Sequence, residues 1–266
     1  MKVLGQLRKM DVEAQSPIAY FLSLDKKSYP LNQHIGESIS LKWAGTITCI
    51  ECGRKTRKSY DQGYCFPCSR DLPGNAMCSV RPELCEHEKG NEADQEFWRT
   101  HCKIDHFVYL SLTSGVKVGI TRHYNIPDRW IDQGAVKGLI IAKVPERVLS
   151  GQIEVAIAKD FADKTNWRKM LKGEVAEVDL LTFRDKAQEL FPTELKKYAV
   201  KDGQVEELVY PVESVPEKIS SHNLDKIPEF TDRLTGIKGQ YLIFERRVIN
   251  MRKYGGYHVE FDFQDR

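Results

Sequence analysis

The sequence predicts an α+β fold. It has a cysteine region, then a compact β-β-α-β-α core, with β segments from the two chain ends pairing. Three observations carry this expectation. All seven cysteines lie between Cys49 and Cys102. Strand-type patterning occupies both ends of the chain, and the stretch after Cys102 alternates short strand-like and helix-like segments. The implied division is a β segment over 1–48, the cysteine region over 49–105, an α/β core over 106–175, and a helix plus β segment over 176–266 that pairs with the N-terminus.

Each element has its own signal. Ile18–Leu22 and the alternating Ser38–Trp43 read as strands, punctuated by Asn32 and Gly36. His106–Leu110 and Val116–Ile120 flank the turn Thr113-Ser114-Gly115, which predicts a hairpin. Pro127 suits the first turn of a helix running into Ile131. Gly138–Ala142 is a short apolar run, expected as a buried central strand. Pro145 opens a helix expected to reach about Ala162, with Leu149, Ile153, Ile157 and Phe161 forming one apolar stripe. A further helix is expected over Phe183–Tyr198, then strands over 239–244, 248–251 and 257–263, with Gly255-Gly256 as a turn. Strands such as 18–22 and 239–244 lack adequate partners in their own segments, so the two ends are expected to share one sheet or barrel.

Composition narrows the function classes. The chain has 266 residues, 41% hydrophobic and 10% aromatic, enough to bury a core as one large or two small domains. Lys+Arg number 40 against 38 Asp+Glu, which excludes a polybasic or polyacidic protein and leaves local charge segregation as the only electrostatic route to nucleic acid. No apolar run approaches the roughly 20 residues that span a bilayer, so no membrane partner is expected. Lys2, Arg8 and Lys9 have no apolar core behind them, so no signal peptide is expected. The odd number of clustered cysteines points to metal in a reducing, cytoplasmic setting.

Cys49-x2-Cys52 is followed, after twelve residues, by Cys65-x2-Cys68. Two such pairs make two tight knuckles, and four thiolates complete the tetrahedral shell of a structural Zn2+. Gly53 stands where a knuckle often needs positive φ. A redox motif would instead expect a single pair opening a helix. Cys78, Cys85 and Cys102 suggest a second zinc with a histidine as fourth ligand. His106, at C-x3-H from Cys102, is favoured over His87, at C-x-H from Cys85. The alternative for these three cysteines is a role as small buried apolar residues.

Charge is uneven around the cysteines. Arg54, Lys55, Arg57 and Lys58 sit beside Tyr60 and Tyr64, a combination suited to phosphate contact and base stacking, or else a solvated loop. Residues 83–96 carry six acids against Lys89, whereas 233–253 hold Arg233, Lys238, Arg246, Arg247, Arg252 and Lys253 against Glu245.

Phe107-Val108-Tyr109, Lys117-Val118-Gly119-Ile120-Thr121-Arg122, Arg129 and Glu154 together resemble the GIY-YIG nuclease superfamily, in particular diverged branches whose second motif reads K-V/I-G-I-T. The resemblance covers roughly 106–170, making the core GIY-YIG-like. With the cysteine block included, the whole sequence also resembles a family of uncharacterised bacterial proteins. The superfamily resemblance implies metal-dependent phosphodiester hydrolysis on DNA or RNA. Tyr109 or a water oriented by Lys117 would attack, Arg129 would stabilise the phosphorane, and Glu154 would hold Mg2+ or Mn2+. Lys117 replaces the motif tyrosine, Phe107 replaces a glycine, and seven residues separate Tyr109 from Lys117, fewer than is usual.

The residues support a site without the name. A hairpin presents Tyr109 and Lys117 from neighbouring strands, and Gly119 permits close approach. Arg122 and Arg129 can fork onto phosphate oxygens. Glu154 has Ala158 at i+4 rather than a cation. Trp130 and Trp167 are expected in the core, with Asn166 as a cap. Two other classes remain open: a non-catalytic DNA- or RNA-binding protein with a degenerate core, and a zinc-stabilised interaction scaffold.

Overall fold

The structure, a computed structural model, describes residues 1–158, 161 and 166–263. In chain order its elements are β1 (Lys2–Gln6), β2 (Asp11–Glu13), β3 (Ala19–Leu24), β4 (Lys27–Pro30), β5 (Ser38–Ile47), α1 (Phe66–Asp71) and α2 (Glu92–Phe97). Then come β6 (His106–Leu112), β7 (Val116–Arg122), α3 (Asp128–Asp132), β8 (Lys137–Val144), α4 (Arg147–Ala158), α5 (Trp167–Lys172) and α6 (Leu180–Glu189). The chain ends through β9 (Glu206–Glu207), β10 (Glu229–Lys238), β11 (Tyr241–Phe244), β12 (Val248–Asn250) and β13 (Tyr257–Phe263). Two compact units result: unit one is Met1–Arg70 with Val209–Arg266, and unit two is Asp71–Leu208. The expected cysteine region is thereby divided. Cys49 to Cys68 fold with the terminal strands, and the other three cysteines fold with the central sheet. No helix among the described residues is long and apolar enough to cross a membrane.

In unit one a six-stranded sheet runs β1-β13-β5-β10-β11-β12. The two ends of the chain pair directly, with Val3 opposite Phe261 and Gly5 opposite Val259. The reason is visible in β13, where Tyr257, Val259, Phe261 and Phe263 alternate inward with polar residues outward. Its neighbour β5 buries Ile39 and Leu41 on the same side. Each fully buried side chain of this kind contributes roughly 1.5–3 kcal/mol. The strand expected at 18–22 behaves differently. As β3 it pairs with β2 and β4 in a separate three-stranded sheet, while β11 joins the large sheet through β10. A tight reversal with Asp25 at φ 53 folds Lys27–Pro30 straight back onto β3, so the partner lies within the same segment after all.

In unit two the strand order is β7-β6-β8-β9, with all pairs antiparallel. The hairpin sets Tyr109 opposite Gly119 and Ser111 opposite Lys117. One face packs Val108, Leu110, Leu112, Val118, Leu139 and Ile141 against Ile153 and Ile157 of α4. The other face carries Tyr109 with Trp130 and Ala135. β6 alternates between these two apolar layers, which explains its almost unbroken burial. α4 is described to Ala158; the rest of the segment expected to continue it lies outside the described residues, apart from Phe161. The helix expected over 183–198 is α6, which starts earlier because Asp179 accepts hydrogen bonds from the N–H groups of Leu181 and Thr182. It stops before Pro192, and Thr193–Tyr198 forms a separate tight turn. Asn166 caps α5 by accepting from the Arg168 and Lys169 N–H groups.

Candidate functional site

Unit one places the thiols of Cys49, Cys52, Cys65 and Cys68 all within 4.8 Å of one another. The first knuckle closes on itself: the Cys49 N–H donates to the Arg54 carbonyl at 2.8 Å, and the Gly53 N–H donates to the Cys49 carbonyl at 3.0 Å. Gly53 sits at φ +72, the left-handed region that its position in the turn requires. The second pair is presented by the turn through Tyr60 and Tyr64 and by the start of α1, so Cys65 precedes the helix and Cys68 lies in its first turn. Cys52 Sγ lies 3.7 Å from Cys65 Sγ. Burial pushes the Cys49 thiol up, but backbone donors from Cys52, Cys65 and Glu51 outweigh it and bring it down to about 6. Cys68 moves the other way, to about 12, through desolvation and the neighbouring thiols. The group could bind zinc, which would hold all four sulfurs as thiolates.

Unit two assembles a second group from three separate turns. The ligand atoms of Cys78, Cys85 and His87 lie within 4.8 Å of one another. His87 Nδ1 is 3.5 Å from Cys78 Sγ, 3.6 Å from Cys85 Sγ and 3.8 Å from Cys102 Sγ. Cys85 and Cys102 sulfurs are 3.6 Å apart. On the far side of the ring, Nε2 lies 3.9 Å from a carboxylate oxygen of Asp94. A carboxylate behind a ligating imidazole orients the ring and raises its basicity. Hydrogen bonds from Cys102 and Cys78 pull the Cys85 thiol strongly down, and the same contacts push Cys78 and Cys102 up. This group too could bind zinc.

The expected histidine, His106, is not in this cluster. It begins β6, where Nδ1 donates to the Ile104 carbonyl at 2.8 Å, and its ring is buried. Only three residues separate Cys102 from His106, and the chain uses them to leave a helical turn and enter a strand. The ring is therefore committed to the Ile104 carbonyl, and the nearer-sequence His87 fills the position. His101 stacks on Phe97 at 4.3 Å.

A third constellation sits on the Trp130 face of the unit-two sheet. The Tyr109 hydroxyl is fully buried and donates to Gln133 Oε1 at 3.3 Å. Desolvation raises the Tyr109 phenol, while the charge of Arg129 and a hydrogen bond with it act the other way; Glu154 adds an opposing negative field. Arg129 and Glu154 thus both act on Tyr109, although α4, which carries Glu154, packs through Ile153 and Ile157 against the opposite face of the sheet. Ser111 Oγ also reaches Gln133 Oε1, at 3.5 Å. A Cβ on Gly119 would stand 2.5 Å from the Tyr109 hydroxyl and 2.6 Å from its Cζ, so the end of the phenol occupies the space the glycine leaves. Lys117 lies on the same strand face, two residues along and opposite Ser111. Trp130 meets Tyr109 edge-on at 6.0 Å.

A family model described as "Protein of unknown function (DUF2797)" matches residues 36–259. The chain belongs to this family. No curated protein and no solved structure matches the chain. The DUF2797 region runs from just before β5 into β13 and therefore includes both thiol groups and the Tyr109 constellation.

The remaining candidates of the DUF2797 chain are dispersed. Arg54, Lys55, Arg57 and Lys58 are exposed on unit one, with the Lys58 ammonium 5.2 Å from the Tyr60 ring centre. Arg122 ends β7 in unit two, its guanidinium 5.4 Å from the Tyr124 ring centre. Sequence reasoning missed Gln133 and Ser111. The available signals were their spacings: Gln133 stands four residues after Arg129, and Ser111 two residues after Tyr109.

Proposed function

We propose that this DUF2797 chain is a zinc-stabilised, GIY-YIG-like enzyme of the cytoplasm that hydrolyses nucleic-acid phosphodiesters with one divalent metal. The observation that carries the reading is that Arg129, by charge and by hydrogen bond, and Glu154, by its charge, both act on the Tyr109 phenol. These are the motif tyrosine, helical arginine and metal-site glutamate of the resemblance. Arg129 is the phosphate-binding cation, favoured for transition-state charge by its planar fork. Tyr109 is too deeply buried to attack; held by Gln133, it positions Arg129. Lys117 orients the attacking water. Glu154 would hold Mg2+ or Mn2+, which supplies Lewis-acid polarisation of the phosphate when bound. Arg54, Lys55, Arg57, Lys58 and Arg122 would contact the nucleic-acid backbone.

The test is a labelled DNA and RNA panel with Mg2+ or Mn2+. Glu154→Ala is expected to abolish cleavage and leave binding largely intact, because it removes a metal ligand and no phosphate-gripping cation. Equal trace cleavage by both proteins would sink the enzymatic reading. A second reading, non-catalytic nucleic-acid binding, is favoured by Lys117 at the tyrosine position. Lys117→Tyr separates the two, since improved cleavage would mark an impaired catalyst.

A further inference from the structure

The basic stretch of the C-terminal tail belongs to none of the sites above, and part of it lines a cavity. In unit one, Ser220, Ser221, His222, Lys226, Arg246 and Arg247 border a cavity of about 540 Å³. Its two arginines are held from behind. Arg247 Nε donates to one oxygen of Asp232 at 3.0 Å, and Arg246 Nε donates to the other at 3.3 Å. The Asp232 side chain is 1% exposed, so this carboxylate is a fixed internal brace and not a surface partner. Arg246 Nη2 is further tied to the Thr231 carbonyl at 3.2 Å. His222 Nε2 donates to the Ile227 carbonyl at 2.9 Å, which leaves Nδ1 to accept from Arg247 Nη1 at 3.3 Å. The ring is thereby set as a neutral positioning group.

Asp232 offsets one of the three cationic charges of Arg246, Arg247 and Lys226, and no acid is among the residues that line the cavity. Two positive charges therefore remain, beside the hydroxyls of Ser220 and Ser221. Among the described residues, Arg247 Nη2 and Arg246 Nη1 have no hydrogen-bond acceptor. Guanidinium groups pre-oriented by a buried carboxylate, with serine hydroxyls alongside, match the oxygens of a tetrahedral dianion. We infer that this cavity binds a phosphoryl group, either inorganic phosphate or the phosphate of a phosphomonoester. The volume exceeds that of a phosphate alone, and the exposed Ile227 at its edge offers an apolar surface to an organic substituent. The inference does not rest on the phosphodiesterase reading.

Calorimetric titration of the full chain with sodium phosphate, AMP and adenosine tests it. Saturable binding of AMP or phosphate without binding of adenosine supports the site, and the tighter of the two identifies the source. Arg246→Glu and Lys226→Glu, both on exposed side chains, are each expected to weaken binding at least tenfold, about the value of one charge-assisted hydrogen bond. Arg129→Ala is expected to leave it unchanged. The inference is overturned if adenosine binds as well as AMP, or if neither phosphate nor AMP saturates. Wild-type affinity in either folded charge-reversal variant would also overturn it. Loss in Arg129→Ala would assign the ligand to the sheet-face site instead.

Discussion

The two thiol groups offer the same chemistry but are built over different distances along the chain. In unit one, each C-x2-C pair sits in its own short turn, and the first closes by hydrogen bonds between Cys49, Gly53 and Arg54. In unit two, Cys78, Cys85 and Cys102 come from separate turns, and His87 is set by Asp94 and by an edge-on contact with Phe97 at 5.0 Å. The first group is a local motif placed on a sheet. The second is a product of tertiary packing. The difference predicts where a metal would matter: it would bridge two separate turns in the first group, whereas in the second it would meet a histidine already set by its surroundings.

Metal removal should separate the two most sharply. Elemental analysis of chelator-free protein is expected to give zinc near two per chain. Stripping it should unfold the knuckles of unit one, because structural zinc contributes roughly 10–16 kcal/mol of apparent folding energy. Cys65→Ser, at a buried ligand of the first group, should lose one zinc and much of the thermal stability. An unchanged melting temperature after complete zinc removal would break the comparison at its root.

The choice between His87 and His106 tests the second group alone. His87→Ala is expected to weaken the second zinc by more than about a hundredfold, beyond the effect of losing an outer-shell partner. His106→Ala should retain both zincs. The opposite pattern, measured by competition with a chromogenic chelator, would return His106 to the ligand set.

His106 has a separate signature in acid. Burial lowers its value from 6.5 to about 4, although the Ile104 carbonyl acts against the shift; nearby Arg147 and Arg122 add to it. The folded state therefore excludes a proton that the unfolded chain accepts. Its contribution is fully present above pH 6.5 and is lost as pH falls through that value toward 4, by about 3 kcal/mol in all. Denaturant unfolding of wild type and His106→Gln between pH 7 and 4 is expected to show a shallower acid loss in the variant. Parallel pH profiles would mean that His106 does not carry this term.

How much of this was legible follows the same local-against-tertiary divide. The knuckle cysteines, the hairpin of β6 and β7, and the stripe of α4 each show their pattern within one segment. β10 was missed because Asp232 occupies an inward position between Phe230 and Leu234, so a buried carboxylate interrupts the apolar alternation. β1 was missed because five residues that include Gly5 carry little strand signal, and their partner lies at the other end of the chain. Tyr109, Arg129 and Glu154 were singled out by the motif resemblance alone. Gln133 and the His87 alignment were not, because their roles depend on contacts between segments that spacing does not encode.

The smallest effects set two glycines against each other, one in each unit. At Gly53 a Cβ would meet nothing within 4 Å, so Gly53→Ala has only the backbone strain of its φ of +72, about 1–2 kcal/mol. At Gly119 the φ is ordinary for any residue, and the penalty is steric: the new Cβ would stand 2.5 Å from the Tyr109 hydroxyl. Overpacking of this kind typically costs 1–3 kcal/mol. The two costs overlap in size but differ in what they disturb. Gly53→Ala should lower stability without changing the sheet-face site. Gly119→Ala should displace Tyr109 from Gln133 and so move Arg129 as well. A double variant distinguishes them: Tyr109→Leu removes the hydroxyl and the ring end, whose Cζ would stand 2.6 Å from the new Cβ, and should recover part of the Gly119→Ala loss while leaving the Gly53→Ala loss untouched. Denaturant midpoints of the single and double variants give the coupling directly. Additive losses for Gly119→Ala and Tyr109→Leu would mean that the glycine is not there to make room for the phenol.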